Sequence, residues 1–448
     1  MYLGNILGII PRANAEDLFF FLSSTMSGFW KWGFRASVDC ITSEPSASPV
    51  ITDSVNFYDF VHTKLKTIDT KSKLWLNPLL FNGSLQTLYY AMHNSDQFSV
   101  YYGRELFQYN DGGQCSLDWV IPEPLSKEEF TKLYKETLPE NSPRLHPRTR
   151  FFTSKELESK TAHGQTPEST DPICVVLHGL AGGSHEPLIR NLGQCLQQSP
   201  SNWDIVVVNS RGCCRTKITT GKLFNALSTS DLEDVLIELK KRYPSRPIYA
   251  VGFSFGAVLL ANYLGEAEEK AKSMLKASVL IGCPWDMSAA AHHIDSSLTG
   301  RYLFNPSLTQ FLNKLVRANL KELRSHVPEL FSEEIVEKAK KAKKTYQWDD
   351  LITCKTANFD NAWDYYDAGS PIRRIDKIKV PTLIINSTDD PAVDPALPRE
   401  EVKANPNLAL VETNLGGHLG FVKYSGEFWC VEVAEDFCDQ FHVLTTHA

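Results

Sequence analysis

The most chemically informative stretch is G-F-S-F-G at residues 252–256, which has the G-x-S-x-G form of a nucleophile elbow. A serine on such a turn can attack an acyl carbon once a base removes its hydroxyl proton. The apolar run Pro247 to Val251 before it predicts a buried strand, and Ala257 to Leu264 after it predicts a helix. This chemistry requires a strand, a tight turn and a helix in that order. We therefore interpret Ser254 as a nucleophile and prefer this interpretation to a chance occurrence of the motif.

A serine nucleophile needs a histidine base and a carboxylate that orients it, and the expected chain order is serine, acid, histidine. Of the twelve histidines, only His418, His442 and His447 follow the last predicted internal strand, and the latter two lie close to the C-terminus. His418 lies in L-G-G-H-L-G, where glycines allow a loop to curl back toward the serine. We predict His418 as the base, against the alternative of an ordinary histidine on a surface loop.

The orienting carboxylate is expected just after the predicted strand Thr382 to Asn386, where Asp389 and Asp390 are adjacent. A triad acid is often followed three residues later by an apolar residue that folds into the core. Asp390 stands three residues before Val393 and has this spacing, whereas Asp389 does not. Asp390 is therefore the preferred acid and Asp389 the alternative. If Asp390 is the acid, Asp389 is expected to be a supporting or turn-capping carboxylate.

The oxyanion that forms during acyl transfer needs two backbone N–H donors. One is expected from Phe255, directly after the nucleophile, and the other from Leu180 in the loop H-G-L-A-G-G at residues 178–183. His178 precedes the serine, which is the wrong order for the base, so a structural role is predicted.

The loop at residues 178–183 lacks both common nucleotide-binding glycine patterns, and no H-E-x-x-H motif or histidine and cysteine cluster predicts a metal site. We expect neither a cofactor nor a metal. No histidine has the H-x-x-x-x-D acyltransferase spacing, so acyl transfer would have to use the serine.

Composition limits the class of protein. The chain has 448 residues, 42% of them hydrophobic, and a formal net charge of -7. This length and composition predict a globular protein with a sizeable core. The negative charge offers no basic field for nucleic acid, which disfavours that partner. The ten cysteines show no C-x-x-C pair and no regular spacing, which predicts reduced thiols in an intracellular, cytoplasmic protein.

The elements that must position these residues alternate between strands and helices from residue 173 onward. This alternation predicts an α/β fold with a mostly parallel central sheet and helices on both faces. The charged helical stretch at about 286–366 would be an inserted lid over the strand ends. Upstream, strands are predicted at Phe98 to Tyr101 and Cys115 to Ile121, joined by a hairpin turn. The predicted strands of the alternating part are Ile173 to Leu177, Asp204 to Asn209, Ile248 to Val251, Ala277 to Ile281, Thr382 to Asn386 and Leu408 to Glu412.

Residues 1–70 are predicted to be an irregular N-terminal extension, and residues 71–448 the hydrolase domain. Leu18 to Trp30 is an uncharged run of 13 residues, too short to span a bilayer. One interpretation, which we prefer, is a short helix packed on the domain. The other is an interfacial anchor with its aromatic rings at headgroup level. An anchor would place the protein peripherally on lipid droplets or the mitochondrial outer membrane.

Six segments of the chain together carry a resemblance to a known group of enzymes. The segments are N-G-S-L-Q-T at 82–87, D-G-G-Q-C-S-L-D-W at 111–119, H-G-L-A-G-G-S-H-E-P at 178–187, N-S-R-G-C-C at 209–214, A-N-Y-L-G-E at 261–266 and G-G-H at 416–418. They resemble the ABHD4-type group of the AB hydrolase superfamily, and most of all the fungal medium-chain fatty acid ethyl ester synthase/esterases. The resemblance covers roughly residues 75 to 445, with Ser84 standing where many relatives carry histidine.

This resemblance implies an α/β-hydrolase fold and a triad of Ser254, Asp390 and His418. It also implies acyl transfer from medium-chain acyl-CoA to ethanol, and hydrolysis of such esters in the reverse direction. One alternative is a monoacylglycerol lipase, because related members look like these lipases. An alternative of another class is a non-catalytic lipid-binding protein on a hydrolase fold, which the intact serine, aspartate and histidine disfavour. The expected partners are therefore acyl-CoA, ethanol, and fatty acid esters or monoacylglycerol.

Overall fold

A computed structural model describes residues 35–71, 73–140, 142–158 and 169–446 of the chain. The N-terminal run Leu18 to Trp30 lies outside these residues. The strands are β1 (Arg35–Ala36), β2 (Val38–Thr42), β3 (Val50–Thr52), β4 (Val55–Asn56), β5 (Leu74–Trp75), β6 (Tyr101–Gln108), β7 (Gln114–Ile121), β8 (Thr149–Phe151), β9 (Ile173–Leu177), β10 (Asp204–Asn209), β11 (Ile248–Phe253), β12 (Ala277–Ile281), β13 (Thr382–Ser387) and β14 (Leu408–Thr413).

Ten of these strands form one sheet in the order β2-β14-β13-β12-β11-β9-β10-β7-β6-β8. Every neighbouring pair from β14 to β10 is parallel, whereas β2 and β7 run antiparallel at the two ends of this block. The predicted α/β-hydrolase fold with a mostly parallel sheet is confirmed. Parallel strands place their carboxyl ends at one edge, so the loops that follow them meet there.

Helices cover this sheet and also form a long insertion between β12 and β13. Within the described residues, no helix combines the length and apolarity that crossing a membrane requires. The helices are α1 (Phe57–Thr63), α2 (Gly83–Met92), α3 (Lys127–Thr137), α4 (Ser154–Glu158), α5 (Pro187–Gln198), α6 (Thr229–Arg242), α7 (Phe255–Met274), α8 (Met287–Ser296), α9 (Asn305–Ala318), α10 (Leu320–His326), α11 (Glu333–Lys341), α12 (Thr345–Leu351), α13 (Thr353–Thr356), α14 (Ala362–Gly369), α15 (Arg399–Ala404) and α16 (Trp429–Thr446).

Two upstream predictions are wrong. The strand expected at Phe98 to Tyr101 begins only at Tyr101 and continues to Gln108. Residues 35–70 are not irregular, because they form four of the short strands and α1, and β2 pairs with β14 at the edge of the main sheet. A partner strand more than 300 residues away leaves no mark in local periodicity, so the sequence pattern could not predict this pairing.

The central strands are apolar because both faces of the sheet are covered. Val175 and Leu177 of β9 belong to one core cluster, and the alternating Cys174 and Val176 belong to a second. All four are buried. A strand buried on both faces has a continuous apolar sequence instead of an alternating one. All ten cysteines are free thiols.

A buried ion pair joins the antiparallel edge of the sheet to the loops near Ser254. Arg104 of β6 contacts Asp118 of β7 through two hydrogen bonds of 2.6 and 2.7 Å, and the two side chains are 1% and 0% exposed. Asp118 also accepts a hydrogen bond from Ser184, and Arg104 donates one to the carbonyl oxygen of Cys214. The pair therefore holds the loops that follow β9 and β10.

We expect Asp118→Asn to lower the free energy of unfolding by about 3–5 kcal/mol, because it leaves the Arg104 guanidinium buried without a countercharge. Urea unfolding followed by circular dichroism measures this loss. The control is Glu334→Gln, which breaks a solvent-exposed ion pair with Lys338 and should leave the unfolding midpoint unchanged. Equal midpoints for wild type and Asp118→Asn would contradict the prediction.

Candidate active site

Ser254 lies on a strained turn between β11 and α7. Its φ of 52° and ψ of -115° are unfavourable for a residue with a side chain. Glycines permit the turn, because a Cβ at Gly252 would lie 2.7 Å from the Gly256 carbonyl oxygen, and a Cβ at Gly256 would lie 2.4 Å from that of Leu177. The Ser254 N–H donates to the Ile281 carbonyl at 2.8 Å. Close backbone packing on several sides therefore holds the serine in this conformation.

The side chains of Ser254, His418 and Asp390 form a continuous hydrogen-bonded series. Ser254 Oγ lies 2.7 Å from His418 Nε2, and His418 Nδ1 lies 2.8 Å from Asp390 Oδ2. The other oxygen of Asp390 accepts the N–H groups of Ala392 and Val393 at 2.7 and 3.0 Å. These bonds hold the carboxylate so that it accepts the Nδ1 proton, which leaves Nε2 available to take a proton from the serine.

The neighbouring Asp389 holds the backbone of the histidine loop. Its Oδ1 accepts the N–H groups of Gly416 and Gly417 at 3.0 and 2.9 Å, and the hydroxyl of Ser387 at 2.7 Å. Burial raises the pKa of this carboxyl to about 6. The two adjacent aspartates therefore have different contacts: Asp390 meets the imidazole, and Asp389 meets the loop that carries it.

A further contact with the histidine loop comes from α2, 331 residues earlier in the chain. Thr87 Oγ1 accepts the backbone N–H of His418 at 2.8 Å and donates to the Gly83 carbonyl at 2.7 Å. A Cβ at Gly83 would lie 1.9 Å from the Asp389 carbonyl oxygen, so the start of α2 packs directly on this region. Thr87 was missed in the sequence, where its only signal was the N-G-S-L-Q-T segment.

The loop at residues 178–183 lies beside the serine. A Cβ at Gly179 would lie 3.7 Å from the Ser254 Cβ. Neither the backbone N–H of Leu180 nor that of Phe255 donates to another group in the described part of the chain. The two donors predicted for the oxyanion therefore lie in segments next to Ser254, and both have an available N–H.

His178 fixes the start of this loop as a neutral side chain. Its Nε2 accepts the N–H of Ser210 at 3.0 Å, and its Nδ1 donates to the Gly179 carbonyl at 2.7 Å. Burial lowers the pKa of His178 to about 4, so the imidazole carries no charge at neutral pH. These contacts tie the loop after β9 to the loop after β10.

Glu186 braces the same loop and was missed as an individual residue in the sequence. Its carboxylate accepts the backbone N–H groups of Gly179 and Gly183, and burial raises its pKa. The Tyr90 hydroxyl donates to Glu186 Oε2 at 3.3 Å. A side chain at Gly182 would overlap Glu186 Oε1, so the glycine-rich sequence lets the loop close over this carboxylate. The only signal in the sequence was the S-H-E-P part of the segment at 178–187.

An apolar cluster packs against the two residues that are predicted to supply the oxyanion donors. Leu180 and Phe255 contact it, and the ring of Phe224 lies 5.5 Å from that of Phe255 between centroids. The buried members of the apolar cluster are Cys213, Ile218, Leu223, Phe224, Leu312, Leu315, Val316, Leu323, Phe331, Val336, Ala339, Trp348 and Ile352.

Comparisons with known proteins agree with this architecture. Residues 172–423 match the family described as alpha/beta hydrolase fold. The chain is 39% identical to medium-chain fatty acid ethyl ester synthase/esterase 2 of Saccharomyces cerevisiae, across 92% of this chain and 96% of that protein. It is 31% identical to the monoacylglycerol lipase of the same yeast, across 86% and 84% of the two chains. It is also 31% identical to phospholipase ABHD3 of Bos taurus, across 72% and 67%.

We expect Thr87→Val to lower kcat for a soluble ester about 100-fold with KM nearly unchanged, because small misplacements of a reacting group have effects of this size. Valine keeps the shape of threonine but cannot accept the N–H of His418. The control is Thr87→Ser, which keeps the hydroxyl and should restore most of kcat. Full kcat in Thr87→Val, with an unchanged melting temperature, would show that this hydrogen bond is dispensable.

The two aspartates should differ sharply in their effect on turnover. We expect Asp390→Asn to reduce kcat about 10⁴-fold, since loss of the orienting carboxylate favours the wrong imidazole tautomer. Asp389→Asn keeps an oxygen that can accept the same N–H groups, so a loss below about 100-fold is expected. The kcat for steady-state hydrolysis of a soluble ester measures the loss in each variant. A larger loss of kcat in Asp389→Asn than in Asp390→Asn would identify Asp389 as the triad acid instead.

Asp389→Asn also has a distinct stability signature. Because the folded-state pKa of Asp389 is raised to about 6 from 3.8, its ionisation opposes folding as pH rises between these values. Asparagine does not ionise, so the variant should gain stability relative to wild type between pH 4 and 6. Urea unfolding across this range measures the difference. A constant difference between the two proteins would contradict a raised pKa.

Proposed function

This chain belongs to the α/β-hydrolase family and is a hydrolase, and we propose that it is a serine esterase that also transfers acyl groups to an alcohol. The observation that carries the proposal is the hydrogen-bonded series of Ser254, His418 and Asp390 on a strained turn. The 39% identity to a medium-chain fatty acid ethyl ester synthase/esterase supports medium-chain acyl substrates.

In the proposed first half-reaction, Ser254 Oγ attacks the carbonyl carbon of an ester or thioester while His418 Nε2 takes its proton. The N–H groups of Leu180 and Phe255 donate to the oxyanion of the tetrahedral intermediate. His418 then gives its proton to the leaving alcohol or thiol, and the acyl group remains on Ser254. Asp390 orients the imidazole and stabilises its charged form in the transition state.

In the second half-reaction, water or ethanol resolves the acyl-enzyme. With medium-chain acyl-CoA as donor and ethanol as acceptor, the product is an ethyl ester; with water, the same site hydrolyses such an ester. Water at ~55 M outcompetes a millimolar alcohol unless the site favours the alcohol or excludes water during deacylation. The apolar cluster against Leu180 and Phe255 supports such exclusion.

We assign the insertion at about 286–366 as the lid of the hydrolase domain, which includes β2 and α1 in addition to residues 71–448, because β2 pairs with β14 and α1 packs in the core. Helices α9, α11 and α12 of this insertion contribute Leu312, Leu315, Val336 and Trp348 to the apolar cluster. An acyl chain attached to Ser254 would gain most from burial in that direction, because apolar burial contributes roughly 25 cal/mol per Å². The lid therefore serves as the acyl-chain site in this proposal.

A second candidate function is that of a monoacylglycerol lipase. The yeast enzyme of that name aligns with 86% of this chain, and the same acyl-enzyme would form with glycerol as leaving group. Monoacylglycerol is amphipathic, so this second function implies that the protein meets its substrate at a lipid surface, such as a lipid droplet or membrane. Products formed from acyl-CoA with ethanol, and from monoacylglycerol with water, distinguish the two.

We expect purified protein to form an ethyl ester from medium-chain acyl-CoA and ethanol, and to hydrolyse that ester once ethanol is removed. Both activities should disappear together in Ser254→Ala, because they share one acyl-enzyme. Gas chromatography of extracted esters measures synthesis and hydrolysis. A residual rate ~10³-fold above water remains compatible with the proposal.

The matched control is Ser273→Ala, which alters an exposed serine near the end of α7. It should keep both activities and still react with a fluorophosphonate probe, whereas Ser254→Ala should not react. Turnover that survives Ser254→Ala would overturn the serine mechanism. Hydrolysis without detectable ethyl ester at any ethanol concentration would instead favour the lipase.

A further inference from the structure

One thiol outside the catalytic series lies among charged side chains. Cys214 follows β10, and its Sγ lies 3.3 Å from a guanidinium nitrogen of Arg104 and 3.7 Å from His185 Nδ1. Arg104 is buried, whereas His185 is exposed and Cys214 is partly exposed. We call Cys214, His185 and Arg104 the thiol cluster. A guanidinium and an imidazole beside a thiol favour the thiolate, which is the reactive form of cysteine.

The charges of the thiol cluster outweigh the partial loss of water around Sγ. That loss opposes ionisation, but the charge of Arg104 and the hydrogen bond with His185 lower the pKa of the Cys214 thiol to about 7. Asp118 acts in the opposite direction, but it is paired with Arg104 and accepts a hydrogen bond from Ser184. Loss of water also opposes a charge on His185, yet the hydrogen bond and the charge of Cys214 raise the pKa of this imidazole. Cys214 and His185 therefore favour each other as an ion pair.

The other cysteines have different surroundings. Cys40 and Cys195 are also partly exposed, but burial raises the pKa of each thiol to about 12. The remaining seven cysteines are buried. Cys214 therefore combines access from solvent with a large thiolate fraction at neutral pH, and Cys40 and Cys195 are internal controls for its reactivity.

The thiol cluster lies against the loop that contains Leu180. A Cβ at Gly183 would lie 2.7 Å from Cys214 Cβ and 2.8 Å from Cys214 Sγ, so the glycine backbone packs directly on the thiol side chain. Glu186 accepts the N–H groups of both Gly179 and Gly183, which couples the two ends of the loop. An oxygen added to Sγ on this side would therefore displace the loop that carries the predicted oxyanion donor.

We propose that Cys214 is a modification site that hydrogen peroxide oxidises to a sulfenic acid, and that the modified side chain lowers turnover at Ser254 by displacing the loop that contains Leu180. The modification site is independent of the proposed function, whereas its effect on turnover rests on that function.

In the proposed step, the thiolate sulfur of Cys214 attacks one oxygen of hydrogen peroxide. The S–O bond forms as the O–O bond breaks, and the departing hydroxide takes a proton from the His185 imidazolium and leaves as water. The sulfur gives up two electrons, which the peroxide gains. A small thiol reverses the change, because it condenses with the sulfenic acid to a disulfide that a second thiol reduces.

Alkylation of the purified chain tests the reactive thiol without any turnover. Mass spectrometry follows each cysteine peptide during treatment with iodoacetamide at pH 7. The thiolate fraction is far larger at a pKa of about 7 than at about 12, although the lower basicity of the thiolate offsets part of this gain. We expect Cys214 to react about 100-fold faster than Cys40 or Cys195. Equal rates for the three thiols would overturn the proposal.

The contribution of the imidazole is tested by His185→Gln, which keeps a polar side chain but cannot carry a charge. We expect alkylation of Cys214 at pH 7 to slow about tenfold, because the thiolate loses its hydrogen-bonded cation. An unchanged rate, with an unchanged melting temperature, would contradict the assigned role of His185 in the oxidation step.

Peroxide treatment tests the modification and its effect on turnover. Dimedone, which traps sulfenic acids, should label Cys214 and leave Cys40 and Cys195 unlabelled. We expect kcat for a soluble ester to fall at least tenfold in the wild type, because small misplacements at a reacting centre have large effects, and to return after dithiothreitol. Cys214→Ser should have full activity before and after peroxide, whereas the matched controls Cys40→Ser and Cys195→Ser should respond like the wild type. An equal loss in Cys214→Ser would overturn the proposal.

Hydrogen exchange of the peptide at 178–186 measures displacement of the loop independently of esterase activity. Peroxide should speed this exchange in the wild type and in Ser254→Ala, but it should have no effect in Cys214→Ser. Unchanged exchange after complete oxidation of Cys214 would overturn the proposal. An untreated wild type without esterase activity would instead contradict the proposed function, and labelling and exchange would still decide the modification site.

Discussion

Three consecutive backbone N–H groups, from Gly416 to His418, determine where the imidazole stands, and the rest of the site depends on their contacts. Asp389 accepts the first two, and Thr87 accepts the third. The acceptors Thr87 and Asp389 are about 300 residues apart in the chain. The loop therefore depends on the packing of α2 against the segment that follows β13. A glycine-rich loop has little conformational preference of its own, and these hydrogen bonds supply the missing restraint.

The two adjacent aspartates illustrate how neighbouring carboxylates take different tasks. Asp390 is almost completely buried and is compensated by the imidazole and two backbone N–H groups. Among the described residues, the donors to Asp389 are two backbone N–H groups and one hydroxyl, and burial raises its pKa. Two charged carboxylates side by side repel each other, and this repulsion adds to burial in raising the pKa of Asp389. Their roles follow from their surroundings, since their residue type is the same.

The surroundings of Ser254 combine polar donors with an apolar cover. Glu186 and His178 hold the loop at 178–183 from within, while Leu180 and Phe255 turn apolar side chains toward the cluster supplied by the helical insertion. Exclusion of water strengthens hydrogen bonds to a developing charge. The same exclusion is what acyl transfer to an alcohol requires, which links the proposed synthesis to the packing of the insertion.

The sequence by itself determined the parallel α/β architecture and the serine elbow. Both leave signals within short stretches of sequence. An elbow needs small residues within five positions, and a strand buried on both faces needs a short apolar run. Chain order then limited the candidates for the acid to Asp389 and Asp390, and it left His418 as the candidate for the base. The structure brings Asp390 and His418 together with Ser254. Only the tertiary structure decided that Thr87 and Glu186 brace the site and that β2 closes one edge of the sheet. These contacts join segments that are far apart in the chain. Such contacts depend on how the elements between the two segments pack, and local periodicity does not encode that packing.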